Sequence, residues 1–219
     1  MATLTQIGYK YGTDKAPVLT TVYSKFMEAV RNDPVRILEV GVFFGASLKM
    51  WNEYFPTGQI YGIDTFEGNQ GNGSHFNNSR SFLTEASKYP RIYAEVCDQS
   101  SREDLEQYAA TITEPFDFII DDGSHLMKDQ QQTLAVLWKL VKPGGIYFIE
   151  DYASSFDTRY PDVLPDFSNT TATMMDTYKK TGQINSVYMT DEERDLLSRE
   201  ILKIDTTSPN TAAFYKRDL

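Results

Sequence analysis

Apolar and β-branched residues gather in short runs along this chain, at Val35–Val40, Gln59–Asp64, Arg91–Cys97, Phe116–Asp121 and Gly145–Glu150, with helical periodicity in most of the segments between them. Runs of that length read as strands, and their alternation with amphipathic helices predicts a mostly parallel sheet with helices on both faces. After the first run, Leu48, Trp51 and Phe55 fall at helical spacing; after the fourth, Leu134, Leu137, Trp138 and Val141 share one stripe. Both segments are predicted to be crossover helices. Val35-Arg-Ile-Leu-Glu-Val40 and Phe118-Ile-Ile120 are close to continuously apolar, which suits strands in the middle of a sheet. Glu200–Asp205 and Thr211–Lys216 are two further strand-like runs joined by Thr-Thr-Ser-Pro-Asn, a link that suits an antiparallel hairpin. The expectation is a doubly wound α/β fold with a seven-stranded, mostly parallel sheet and an antiparallel C-terminal edge hairpin. Two stretches interrupt the alternation: the Gly- and Asn-rich Phe66–Asn78, and an insertion from Tyr152 to about Phe167. Both follow strands at the same rim, where loops carry function.

Composition narrows the partners. At 219 residues the chain reads as a single domain over 1–219, with an amino-terminal helical or lid segment over 1–30 and an insertion over 152–185. Against 21 basic residues there are 31 acidic ones, and a net charge of -10 without a Lys/Arg cluster argues against nucleic acid and anionic membrane surfaces. One cysteine, Cys97, forms no internal disulfide, and the first residues lack the basic start and apolar run of a secretory signal, so a cytoplasmic setting is expected. No window approaches the roughly 18 to 20 apolar residues of a spanning helix.

The chemistry sits at strand ends. Leu38-Glu-Val-Gly-Val-Phe-Phe-Gly-Ala-Ser47 runs from a strand through a glycine turn into a helix, with Gly41 placed to let backbone approach a ligand. Its Gly-x-x-x-Gly spacing is not the Gly-x-Gly-x-x-Gly of dinucleotide binders, and no phosphate-cradling lysine follows. The next strand ends in Asp64, where a carboxylate can accept from a ribose diol, and the third ends in Cys97-Asp98-Gln99. Farther on, Asp122, Glu150 and Asp151 are hard oxygen donors at the ends of two strands. A divalent cation such as Mg²⁺ would relieve their mutual repulsion. His125, three residues past Asp122, points to the same cavity and is the candidate general base.

The first of these patterns resembles the class I S-adenosylmethionine-dependent methyltransferases, which implies a Rossmann-like fold. In that family the Glu39-x-Gly41 turn lies against the cofactor's amino-acid part, the acid at Asp64 binds the ribose, and the acid at Asp98 reaches the adenine amine. Tyr9-Lys-Tyr-Gly-Thr-Asp-Lys15, Asp121-Asp-Gly-Ser-His125 with Gln131 downstream, and Gly144-Gly-x-Tyr-x-Ile-Glu-Asp151 with Ser154 following sharpen the likeness. Together they resemble the metal-dependent sugar O-methyltransferases of macrolide and related antibiotic biosynthesis, the mycinamicin and tylosin tailoring group. That resemblance implies Mg²⁺ (or Mn²⁺) on Asp122, Glu150 and Asp151, and His125 deprotonating the hydroxyl that is methylated. It also implies S-adenosylmethionine on Tyr11, Thr13, Glu39, Gly41, Asp64, Asp98, Gln99 and Asp121, the last facing its amino group. The expected partner is a small polyol or glycoside, and the family suggests a homo-oligomer. A catechol-type O-methyltransferase and a non-catalytic cofactor-binding partner of a biosynthetic enzyme stay open. Tyr152 and Tyr160 are placed near the mouth, the Lys10–Lys15 and Tyr152–Phe167 segments are expected as lids, Met174 and Met175 as core, and His75 as exposed and incidental.

Overall fold

A computed structural model describes residues 1–67, 76–206, 208 and 210–218, and His75 lies outside them. The chain falls into two compact units, Met1–Cys97 and Asp98–Leu219.

The first unit runs α1 (Leu4–Tyr11), α2 (Val18–Met27), β1 (Arg36–Val40), α3 (Ala46–Tyr54), β2 (Gln59–Asp64), α4 (Phe76–Ala86) and β3 (Ile92–Val96). Thr3 starts α1 through a capping box with Gln6, and Gly12, left-handed at φ 70°, ends it. β1 pairs parallel with β2, and β2 with β3, so Val40, Asp64 and Val96 end their strands on one side of the unit. Leu48 and Trp51 of the helical stripe on α3 are fully buried, as are Ile37, Leu38 and Ile60 of the strands. Phe55, the last stripe residue, is equally buried but lies just past the end of α3.

The second unit contains α5 (Arg102–Thr111), β4 (Phe116–Asp121), α6 (Met127–Leu137), β5 (Val141–Glu150), α7 (Thr171–Thr181), α8 (Asp191–Glu200), β6 (Ile201–Asp205) and β7 (Thr211–Lys216). β4 and β5 are parallel; β7 runs antiparallel to β5 and to β6. The strand order is β3-β2-β1 in the first unit and β4-β5-β7-β6 in the second, seven strands of a mixed sheet with the C-terminal hairpin at its edge. One detail differs from the sequence reading. Val141 opens β5 rather than continuing the helical stripe, because α6 stops at Leu137, a 3₁₀ turn takes Trp138–Leu140, and Pro143 bars further helix. Met174 and Met175 are core residues. Among the described residues no helix is long and apolar enough to cross a membrane.

Candidate active site

In the second unit the end of β4 carries the densest chemistry. Asp121, 1% exposed, accepts hydrogen bonds from Gln99 Nε2 at 2.6 Å and from the Tyr147 hydroxyl at 3.1 Å. Burial pushes its carboxyl up to about 7, against the pull of those two donors and with help from the charge of Asp122. Burial, and then the neighbouring Asp121, also raises Tyr147 well above the ordinary phenol range. A Cβ on Gly123 would lie 2.1 Å from Gln99 Oε1, the atom that accepts from Ser124 N at 2.8 Å, so any side chain there would displace that amide. Ser124 in turn donates to Asp129 at 2.6 Å, closing the Asp-Gly-Ser-His turn onto the start of α6.

His125 follows in left-handed backbone at φ 59°, and its carbonyl accepts from Ser154 Oγ at 2.9 Å. Its Nε2 stands 3.9 Å from Asp122 Oδ1 and 3.6 Å from Asp151 Oδ2. Asp151, just past β5, is also left-handed at φ 49°. One donor atom from each of Asp122, His125 and Asp151 lies within 4.8 Å of the others. Nδ1 of His125 is buried without a hydrogen-bond partner among the described residues. Two carboxylates converging on an imidazole form a donor set that a divalent cation fits. Glu150, expected to be a third ligand, falls outside this group; its side chain is 2% exposed and it is the last residue of β5, with Thr211 opposite.

Asp98 keeps to its own turn, its Oδ1 accepting from Ser100 N and Ser100 Oγ at 2.8 Å each. Gln99, 8% exposed, is the bridge between Asp121 and Ser124 described above.

The first unit holds the glycine turn. Gly41 sits at φ 90° and Gly45 at φ 72°, where a Cβ on Gly45 would strike the Phe82 ring at 2.1 Å. Asp64 secures this turn: its Oδ2 accepts from the backbone N–H of Val42 at 2.7 Å and of Phe43 at 2.9 Å, while Oδ1 accepts from Phe66 N at 2.8 Å. Most of the acceptor capacity expected for a ribose is therefore engaged by backbone. Glu39 is 1% exposed, ion-paired to the equally buried Lys15 at 3.1 Å, and accepts from Trp51 Nε1 at 3.1 Å. Tyr11 donates to Glu53 at 2.7 Å, as does Lys10, so the Lys10–Lys15 segment is fastened at both ends. Thr13, 7% exposed, accepts weakly from Lys15 N at 3.4 Å.

At the start of α6 the sequence singled out Gln131 alone, and only through the family resemblance. Asp129, Gln130, Gln131 and Gln132 are all buried, and the three amides donate to the carbonyls of Glu150 at 3.1 Å, Asn169 at 2.8 Å and Gln99 at 3.4 Å. A run of polar residues on a helix reads as a solvated face; only its position, directly after Asp-Gly-Ser-His, hinted otherwise.

The chain is similar to known methyltransferases. Similar curated proteins include the mycinamicin VI 2''-O-methyltransferase of Micromonospora griseorubida, 34% identical over 70% of this chain and 37% of that protein. Another is the L-olivosyl-oleandolide 3-O-methyltransferase of Streptomyces antibioticus, 32% identical over 87% of this chain and 47% of its own length. The chain thus spans between a third and a half of these relatives. Among solved structures, the MycE methyltransferase of the mycinamycin pathway, in complex with Mg, SAH and mycinamycin VI, superposes with a TM-score of 0.75 at 28% identity. That match covers 99% of this chain and 55% of that one. The O-methyltransferase TomG of Streptomyces achromogenes, in complex with SAM, shares the fold at 17% identity and a TM-score of 0.53, over 97% of this chain and 87% of that one. Residues 38–152, just over half of the chain and the stretch that contains both the glycine turn and the Asp-Gly-Ser-His turn, match the methyltransferase domain family, and the chain belongs to that family.

Proposed function

We propose that this chain is an S-adenosylmethionine-dependent O-methyltransferase that uses Mg²⁺ or Mn²⁺ and acts on a sugar hydroxyl of a glycosylated small molecule, in the cytoplasm. The observation that carries the reading is the convergence of Asp122, His125 and Asp151 at the carboxyl ends of two parallel strands, within a chain similar to sugar O-methyltransferases. Asp122 and Asp151 would hold the cation, with Glu150 as the third carboxylate of the same strand end. When bound, S-adenosylmethionine supplies the methyl group and the cation supplies positive charge that favours loss of the acceptor's proton. His125 Nε2, the nitrogen facing the two acids, would take that proton. In the second unit Asp121 would face the cofactor's amino group, whose positive charge would restore its ionised form, with Gln99 and Tyr147 holding the carboxylate in place. Asp98 would reach the adenine amine. In the first unit Gly41, Glu39 and Asp64 would shape the turn that receives the cofactor, flanked by Tyr11 and Thr13.

The test uses chelator-treated protein, Mn²⁺ titrated by electron paramagnetic resonance, and transfer of labelled methyl from S-adenosylmethionine to macrolide glycosides with adjacent free hydroxyls. Cation-stimulated transfer should appear in the parent and disappear in Asp122→Ala and Glu150→Ala; unchanged transfer in both would sink the metal assignment. His125→Ala should still bind Mn²⁺ while losing about 10²- to 10⁴-fold in turnover, the range of a general base. Loss of Mn²⁺ binding in that variant would make His125 a ligand instead.

A further inference from the structure

The start of α6 contains a device that the proposed chemistry does not yet include. Gln130 is 1% exposed and donates through Nε2 to the backbone carbonyl of Glu150 at 3.1 Å, while its own Oε1 accepts from the Thr171 hydroxyl at 2.8 Å. Thr171 is the first residue of α7 and fully buried. A buried primary amide is stable only when its donors and acceptor are matched, and here the hydroxyl fixes which end of the amide is presented to Glu150.

The carbonyl that Gln130 holds belongs to the peptide joining Glu150 to Asp151. Rotation of that plane sets φ of Asp151, and Asp151 is left-handed at 49°, a region that a residue with a Cβ occupies only when its surroundings impose it. The plane fixed by Gln130 therefore decides whether the Asp151 carboxylate faces His125, as it does at 3.6 Å, or swings away.

We infer that Gln130, oriented by Thr171, is a positioning residue for the cation site: it locks the Glu150–Asp151 peptide so that the Asp151 carboxylate is presented to the ion beside Asp122. The inference rests on the metal-dependent reading above. Gln131 supplies an internal control, since it has the same side chain, the same helix and the same 1% exposure, but donates to Asn169, in the segment leading to α7.

The experiment measures Mn²⁺ affinity of the chelator-treated full chain by electron paramagnetic resonance, with no cofactor or acceptor present. Gln130→Leu should weaken Mn²⁺ binding about 10- to 100-fold, the range found when partners behind metal ligands are removed. Thr171→Val, which keeps the shape of the side chain and removes only the hydroxyl, should weaken it in the same direction by less. The double variant should be no worse than Gln130→Leu, because both lie on one chain of bonds. Gln131→Leu should leave Mn²⁺ affinity within about twofold of the parent. Equal losses in the Gln130 and Gln131 variants would reduce the effect to general loosening of α6 and overturn the inference. So would parental affinity in both Gln130→Leu and Thr171→Val, while the metal reading itself would stand. Absence of Mn²⁺ binding in the parent would overturn both together.

Discussion

Four non-glycine residues, Phe43, Phe66, His125 and Asp151, leave the ends of β1, β2, β4 and β5 in left-handed backbone. Each such residue costs about 1–2 kcal/mol, so something must hold it there. Side chains do so in every case. Asp64 accepts from the N–H of Phe43 and of Phe66, Ser154 donates to the carbonyl of His125, and Gln130 donates to the carbonyl just before Asp151. Asp64 therefore supports the fold of the first unit whatever it does for a ligand. Asp64→Asn keeps the shape but turns an amide donor toward backbone N–H groups, and should destabilise the protein by about 3 kcal/mol, the worth of one to two hydrogen bonds to a charged group. Urea denaturation monitored by circular dichroism checks this; a loss below about 1 kcal/mol would mean that the carboxylate is not what holds the two strained residues.

At the scale of elements, helices are fastened by paired devices. α8 starts with a capping box in which Glu193 accepts from Thr190 N at 2.9 Å, and the same carboxylate takes both terminal nitrogens of Arg102, at the start of α5, at 2.6 and 3.3 Å. Burial alone would raise the carboxyl of Glu193, but Arg102 and the Thr190 N–H outweigh it and hold it below its ordinary value of 4.5. An acid lowered on folding stabilises the folded chain at pH above its unfolded value, and that contribution fades as pH falls through the lowered folded value. Glu193→Gln should therefore cost about 1 kcal/mol at pH 7, with the difference from the parent shrinking as pH drops below 4.5. Urea titrations at neutral and acid pH would show it, and a difference constant with pH would remove the charge from the explanation.

α6 shows where sequence was readable and where it was not. Its neighbours were legible because strands are local: apolar runs such as Phe116–Asp121 contain their own signal, and Asp-Gly-Ser-His marks its turn by its glycine and acids. The glutamines were not, because what buries Gln130, Gln131 and Gln132 is a set of carbonyls on Glu150, Asn169 and Gln99, residues 20 to 38 positions away. The Lys15–Glu39 pair escaped for the same reason, since a buried lysine is intelligible only once its partner is known.

For the whole molecule, a net charge of -10 raises the question of whether a divalent cation acts at a site or only by screening. The two differ in their thermodynamics. An ion that binds the folded chain alone stabilises it by mass action, about 2.7 kcal/mol at a hundredfold excess over its dissociation constant. For a chain of this size that corresponds to a rise in Tm of about 5–10 °C. Screening depends instead on ionic strength and is indifferent to the removal of a particular pair of carboxylates. Calorimetric scans in NaCl and in Mg²⁺ matched for ionic strength should show the full rise only with Mg²⁺. An Asp122→Asn/Asp151→Asn variant, whose chain is two charges less negative, should lose that rise while keeping its response to NaCl. If parent and variant rise equally with Mg²⁺, the cation is acting on the acidic surface at large, and the convergence of Asp122, His125 and Asp151 is not a binding site for it.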